Sequence, residues 1–157
     1  MIDAQVVYSW AQVAHNGGLR QSIARRISAL QTIQDGRRYA HVDADGVLLP
    51  TINGSRGRSR GALAARAEAV RGLRSLGRAW GSSALLGGEQ ALVCHVVRVA
   101  PRLLDQHDNL AASAKAVIDG IADGLGINDR DPRVEWVVSQ EKGKAAVRVE
   151  FYRWRWP

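Results

Sequence analysis

Four aspartates bracket one short apolar stretch of the chain: Asp105 and Asp108 stand before it, and Asp129 and Asp131 after it. Carboxylate oxygens are the hard ligands that Mg2+ prefers. An ion held by two or three of them, still partly hydrated, can bind a phosphodiester oxygen and lower the pKa of an attacking water. The matching reaction is phosphodiester hydrolysis. Lys115 and Asp119 follow Asp108 by seven and eleven residues, which at about 100° per residue places all three within roughly 20° of one helical face. Lys115 is isolated in an otherwise uncharged stretch and could contact a scissile phosphate or stabilise charge developing in the transition state. It is equally well read as an exposed lysine paired with Asp119 at i,i+4. From spacing alone, the acidic clusters also fit two solvated loops.

The elements that must position these residues follow from the hydrophobic pattern. Asn109 to Gly124 reads as a helix with Leu110, Ala114, Val117, Ile118, Ile121 and Leu125 on its buried face, capped by Asp108 or Asn109 and ended by Gly124 and Gly126. Ala91 to Ala100 is β-branched and apolar, the pattern of a central strand that delivers the chain to Asp105. Glu135 to Gln140 and Ala145 to Trp154 predict an antiparallel hairpin turning at Glu141 to Lys144. Ala62 to Trp80 predicts a helix broken at Gly81 to Gly88, with Arg66, Arg71, Arg74 and Arg78 as a basic stripe opposite Leu63, Ala67, Val70, Leu73 and Leu76. Before it, Asn53 to Gly61 lacks apolar side chains and is expected to be a mobile basic loop carrying Arg56, Arg58 and Arg60. Nearer the start, two short helices joined at Gly17-Gly18 and a hairpin from Arg37 to Pro50 are predicted. In that order they fit either helices packed on the main core or a small winged-helix-like unit with Arg20, Arg25 and Arg26 near DNA.

Charge points to a polyanionic partner. The formal net charge is +7, and only three of the 22 basic residues are lysines, so most of the positive charge is guanidinium, planar and suited to bidentate phosphate contacts. The three segments 1 to 50, 51 to 104 and 105 to 157 carry net charges of +1, +7 and −1. The middle segment is thus suited to holding phosphates, and the last to gathering carboxylates for a metal; a solvated basic helix is the plainer reading of the same excess. One cysteine, Cys94, excludes an internal disulfide and a thiolate zinc cluster, and its valine neighbours predict a buried strand thiol. No apolar run approaches the roughly 18 residues of a membrane span and Met1 opens no signal segment, so a soluble, cytoplasmic protein is expected.

From Val93 to about Phe151 the chain resembles the RusA family of Holliday-junction resolvases, mostly encoded by phages and prophages. The resemblance runs through the strand, Leu104-Asp105-Gln106-His107-Asp108-Asn109-Leu110, the helix bearing Lys115 and Asp119-Gly120, then Gly126-Ile127-Asn128-Asp129-Arg130-Asp131 and the closing strands. The arginine-rich loop and following helix match the family in character. The resemblance implies an α+β domain at 51–157 with a mixed sheet and helices on one side, preceded by an N-terminal extension at 1–50. It further implies a Mg2+ site with Asp108 and Asp129 as ligands, completed by Asp105 or Asp131, and catalysis by these carboxylates with Lys115 at the phosphate. Branched DNA would be held by Arg56, Arg58, Arg60, Arg66, Arg71, Arg74, Arg78 and Arg102, in a homodimer. The chain departs from the pattern in two respects. Gln106 stands where the family has an aspartate, so Asp105 must substitute, and Lys115 follows Asp108 by seven residues rather than four, moving the lysine along the helix by about 4.5 Å.

Other features leave alternatives open. His107 could act as a general acid or contact phosphate, or its neutral ring could be bonded within the loop; His15, His41 and His95 have no metal-ligand spacing. The tail Phe151-Tyr152-Arg153-Trp154-Arg155-Trp156 could stack on unpaired bases or form a dimer contact. The rivals to a nuclease are a binding protein that keeps the basic surface without cleavage, and a phage regulator whose first 50 residues read a DNA sequence.

Overall fold

A computed structural model describes residues 19–36, 38–50, 59–84, 91–104 and 109–155. In chain order the elements are α1 (Leu19–Gln34), β1 (Arg38–Asp45), α2 (Arg60–Ala84), β2 (Ala91–Ala100), α3 (Leu110–Leu125), β3 (Val134–Lys142) and β4 (Ala146–Trp154). The fold is α+β, with one mixed four-stranded sheet in the order β1-β4-β2-β3.

Strand β2 lies inside the sheet because nearly every residue of it is buried, so neither edge nor face can be left to water. It pairs parallel with β3, across the α3 crossover, and antiparallel with β4. The expected β3–β4 hairpin is therefore corrected: the two strands flank β2 and do not pair with each other. Their short connection steps over the end of β2, where the Gly143 N–H donates to the Ala100 carbonyl at 3.0 Å. A Cβ at Gly143 would lie 2.9 Å from a Val99 methyl, so any larger residue at this step would have to push that side chain aside.

The expected Arg37-to-Pro50 hairpin is corrected as well. β1 is a single edge strand antiparallel to β4, and after the turn at Gly46, where φ is 76°, residues 47–50 form no strand. Leu49 instead buries its side chain in the main core. Residues 38–45, expected within an N-terminal extension, thus belong to the same sheet as the C-terminal strands.

Helices α2 and α3 pack on one face over Cys94, Val96, Trp136, Val138, Val149 and Phe151. The helices of 51–157 thus share one side as expected, while α1, from the N-terminal segment, covers the other face, with Ala29 and Ile33 on Val93, Val137, Tyr152 and Trp154. Arg25 fastens it there, with Nε 3.2 Å from Glu135 Oε2, Nη2 2.9 Å from the Pro132 carbonyl and its guanidinium 4.6 Å above the Trp154 ring. Arg25, expected near DNA in the winged-helix reading, is engaged by the sheet. Phe151, Tyr152 and Trp154 are likewise buried, which removes these rings from base stacking or a dimer contact; Trp156 and the expected helix at Trp10 to Ala14 lie outside the described residues.

The expected break at Gly81 is also corrected, because α2 continues to Ala84. Gly77 and Gly81 of α2 face Gly120 and Gly124 of α3, and a Cβ on any of the four would collide with the opposite helix's backbone. Glycine is what permits this approach. The close crossing brings the arginine side of α2 beside the polar face of α3.

Candidate functional site

Each element around the aspartates is tied to the sheet. At the end of β2, Arg98 Nη1 donates to the Arg102 carbonyl at 2.9 Å. Both amide atoms of Gln140 bond the Leu104 backbone, each at 2.8 Å. The chain thus leaves β2 from a fixed point toward Asp105 and Asp108, and both of those residues lie outside the described ones. Burial lowers the pKa of Arg98, whose Nε has no hydrogen-bond partner among the described residues.

Helix α3 begins at Leu110 after Asn109, which occupies the cap position without a side-chain capping bond, while Asp108, the other expected cap, lies outside the described residues. It ends at Gly126, in the left-handed conformation at φ 70°, with the backbone closed onto Ala122 and Asp123. The returning loop is then built from consecutive turns. Asn128 Oδ1 accepts from the Arg130 N–H at 3.0 Å, and Asp131 Oδ1 from the Arg133 N–H at 2.9 Å. The indole of buried Trp136 donates to the Asp129 carbonyl at 2.8 Å, which fixes Asp129 against the core while its side chain faces outward.

That side chain meets the polar face of α3. Lys115 Nζ donates to Asp129 Oδ2 at 2.8 Å and also to Asp119 Oδ1. Partial burial pulls the Lys115 pKa down, but the hydrogen bonds and charges of the two aspartates outweigh it and raise the value. Beside this group lies an open depression of about 180 Å³, lined by Asp119, Asp123, Asn128, Asp129, Ile127 and Arg74 of α2. Arg74 holds Asp123 through two bonds of 2.7 and 3.2 Å, and they keep the Asp123 carboxyl below its ordinary range.

Of the expected site residues, the structure brings Asp129 and Lys115 together. Asp131 has other work: Arg133 grips both of its oxygens, at 3.0 and 2.7 Å, and holds its pKa down. Arg60, Arg66, Arg71, Arg74 and Arg78 lie on α2 and are exposed, as is Arg102; Arg56 and Arg58 fall outside the described residues. Sequence reasoning places Asp119 on the face of Lys115 but not among the ligands, and it does not single out Asp123, which joins Arg74 across two helices whose close-packed glycines are the signal of their contact.

As a test of fit to a divalent cation, Asp119 and Asp129 converge on a single positive point, the Lys115 ammonium, with the oxygen chemistry such an ion takes. Two carboxylates, with water completing the shell, are the smallest such set. Among the described residues no group of three or more His, Cys, Asp or Glu could hold a metal. No helix among the described residues is long and apolar enough to cross a membrane. Comparison with protein-family models, with curated proteins and with solved structures returns no match.

Proposed function

We propose that this chain is a Mg2+-dependent endonuclease of branched DNA, with a RusA-like domain acting as a homodimer. The observation that carries the reading is the convergence of Asp129, from the loop after α3, and Asp119, on α3 itself, at Lys115 beside the arginine-bearing side of α2. In the proposed site Asp119 and Asp129 hold the ion together with Asp105 or Asp108, and the ion supplies a polarised phosphoryl oxygen and an activated water. Asp131 remains committed to Arg133. Lys115 neutralises charge at the scissile phosphate, and Arg71, Arg74 and Arg78 hold the flanking backbone.

One observation favours a second reading, a junction-binding protein without cleavage: Lys115 already neutralises the two converging carboxylates. A labelled four-way junction incubated with Mg2+, with and without chelator, separates the two. Cutting that chelator stops and Asp129→Asn abolishes supports the enzyme; a tight shift without cutting supports the binder. Preference for one duplex sequence over a junction would instead favour the regulator.

A further inference from the structure

The α1 face of the sheet carries a second group of reactive side chains, with no part in the aspartate site. Three come from three different strands. His95 of β2 is 4% exposed and Glu150 of β4 is 7% exposed, while Ser139 of β3 is half-buried and the closest of the three to solvent. Ser139 Oγ lies 2.7 Å from His95 Nε2, and His95 Nδ1 lies 3.1 Å from Glu150 Oε2.

The direction of these bonds follows from the carboxylate. Glu150 Oε2 also accepts from the Tyr152 hydroxyl at 2.7 Å, and Oε1 from Arg38 Nη1 at 3.0 Å. A carboxylate that receives from a phenol and a guanidinium is ionised and can only accept. His95 Nδ1 therefore carries a proton toward Glu150. In the neutral ring Nε2 is left as an acceptor for the Ser139 hydroxyl.

Cross-strand register adds a cation. Val97 of β2 stands opposite Ser139 on one side and Arg148 on the other. Arg148 reaches over Val97, with Nη2 2.6 Å from Glu141 on β3 and Nε 3.1 Å from Glu150 Oε1. Its guanidinium is thus held between two carboxylates, Glu141 and Glu150.

We propose that Ser139, His95 and Glu150 form a nucleophilic triad that cleaves small carboxylic esters through an acyl-serine, independently of the aspartate site. Ser139 Oγ attacks the ester carbonyl as His95 Nε2 takes its proton, and Glu150 stabilises the imidazolium. The bond to the alcohol breaks, and His95 returns the proton to the departing oxygen. Water then attacks the acyl-serine through the same base, giving a carboxylic acid and free Ser139.

The test treats the full chain with a fluorophosphonate probe and with p-nitrophenyl acetate, and locates the adduct by peptide mass spectrometry. The expected result is one dominant adduct at Ser139, lost in Ser139→Ala and unaffected by chelator. His95→Gln should slow labelling on the order of 100-fold or more, the typical contribution of a general base. Because His95 and Glu150 are buried, their variants can unfold, so the decisive comparison is between the wild-type chain and a Ser139→Ala protein with the wild-type circular dichroism spectrum. An absence of label at Ser139 in folded wild-type protein would overturn the proposal, as would ester turnover unchanged in Ser139→Ala.

Discussion

Lys115 and Asp129, fourteen positions apart, form a 2.8 Å ion pair because the loop after α3 folds back along the helix to which Lys115 belongs. In a nuclease that pair is part of the chemistry, so its stability and activity consequences should separate. Asp129→Asn is expected to remove junction cleavage while leaving the gel shift intact. Both partners are about a third exposed, which limits the stability change to below about 1 kcal/mol. Cleavage assays and thermal melts of the same preparation check both halves; an Asp129→Asn protein that still cuts at the wild-type rate sinks the aspartate site.

The helix crossing gives a sharper stability prediction. Gly120→Ala would drive a methyl group into the Arg74 backbone, and Gly81→Ala into that of Ile121. Each should cost about 1–3 kcal/mol or more, the usual range for overpacking. Gly72, on the exposed part of the same α2 helix, has open space around it. Gly72→Ala should therefore stabilise by roughly 0.5–1 kcal/mol through helix propensity alone. Urea denaturation of the three variants decides the matter, and equal signs for Gly72→Ala and Gly120→Ala would contradict the crossing described.

Acid should unfold the chain partly through Glu150. Its hydrogen bond from His95, joined by Tyr152 and Arg148 and opposed by burial, lowers its pKa from 4.5 to about 2. A group depressed in the folded state stabilises fully above its unfolded pKa, and that contribution is lost as pH falls through the folded value. The window here runs from about pH 4.5 down to about 2, and the linked stability is on the order of 3 kcal/mol. Glu150→Gln should flatten the fall in unfolding free energy between pH 5 and pH 3 relative to wild type. Asp123 and Asp131, also depressed, supply the slope that remains.

Much of this architecture is legible in the residues alone. The span of α3 follows from its 3.6-residue apolar period and terminal glycines, and the central place of β2 from its unbroken apolar run. Strand pairing is what the pattern misleads on. A short polar turn at Glu141 to Lys144 between two strand-forming segments is a usual hairpin signal, yet here β2 needs neighbours on both edges and takes β3 and β4 to either side. The His95 group is invisible for the same reason, because Ser139, His95 and Glu150 meet only through a register that side-chain types do not specify. Glycines at 77, 81, 120 and 124 do carry a signal, spacing of four on both helices, but a glycine taken by itself reads as a chain break.

The arginines of α2 should not contribute equally to DNA binding. Arg74 is already neutralised by Asp123, whereas Arg71 is exposed on the same helix. A phosphate contact releases condensed counterions in proportion to the charge it brings, so losing a fully available arginine lowers the slope of log K against log salt by about 1. Arg71→Ala should show that loss on a four-way junction titrated from low to moderate salt, and Arg74→Ala a smaller one. Asp123→Asn, which frees Arg74, should move the slope the other way and tighten binding. Equal slopes for Arg71→Ala, Arg74→Ala and wild type would mean that DNA does not approach this side of α2, and the basic surface would have to lie elsewhere on the chain.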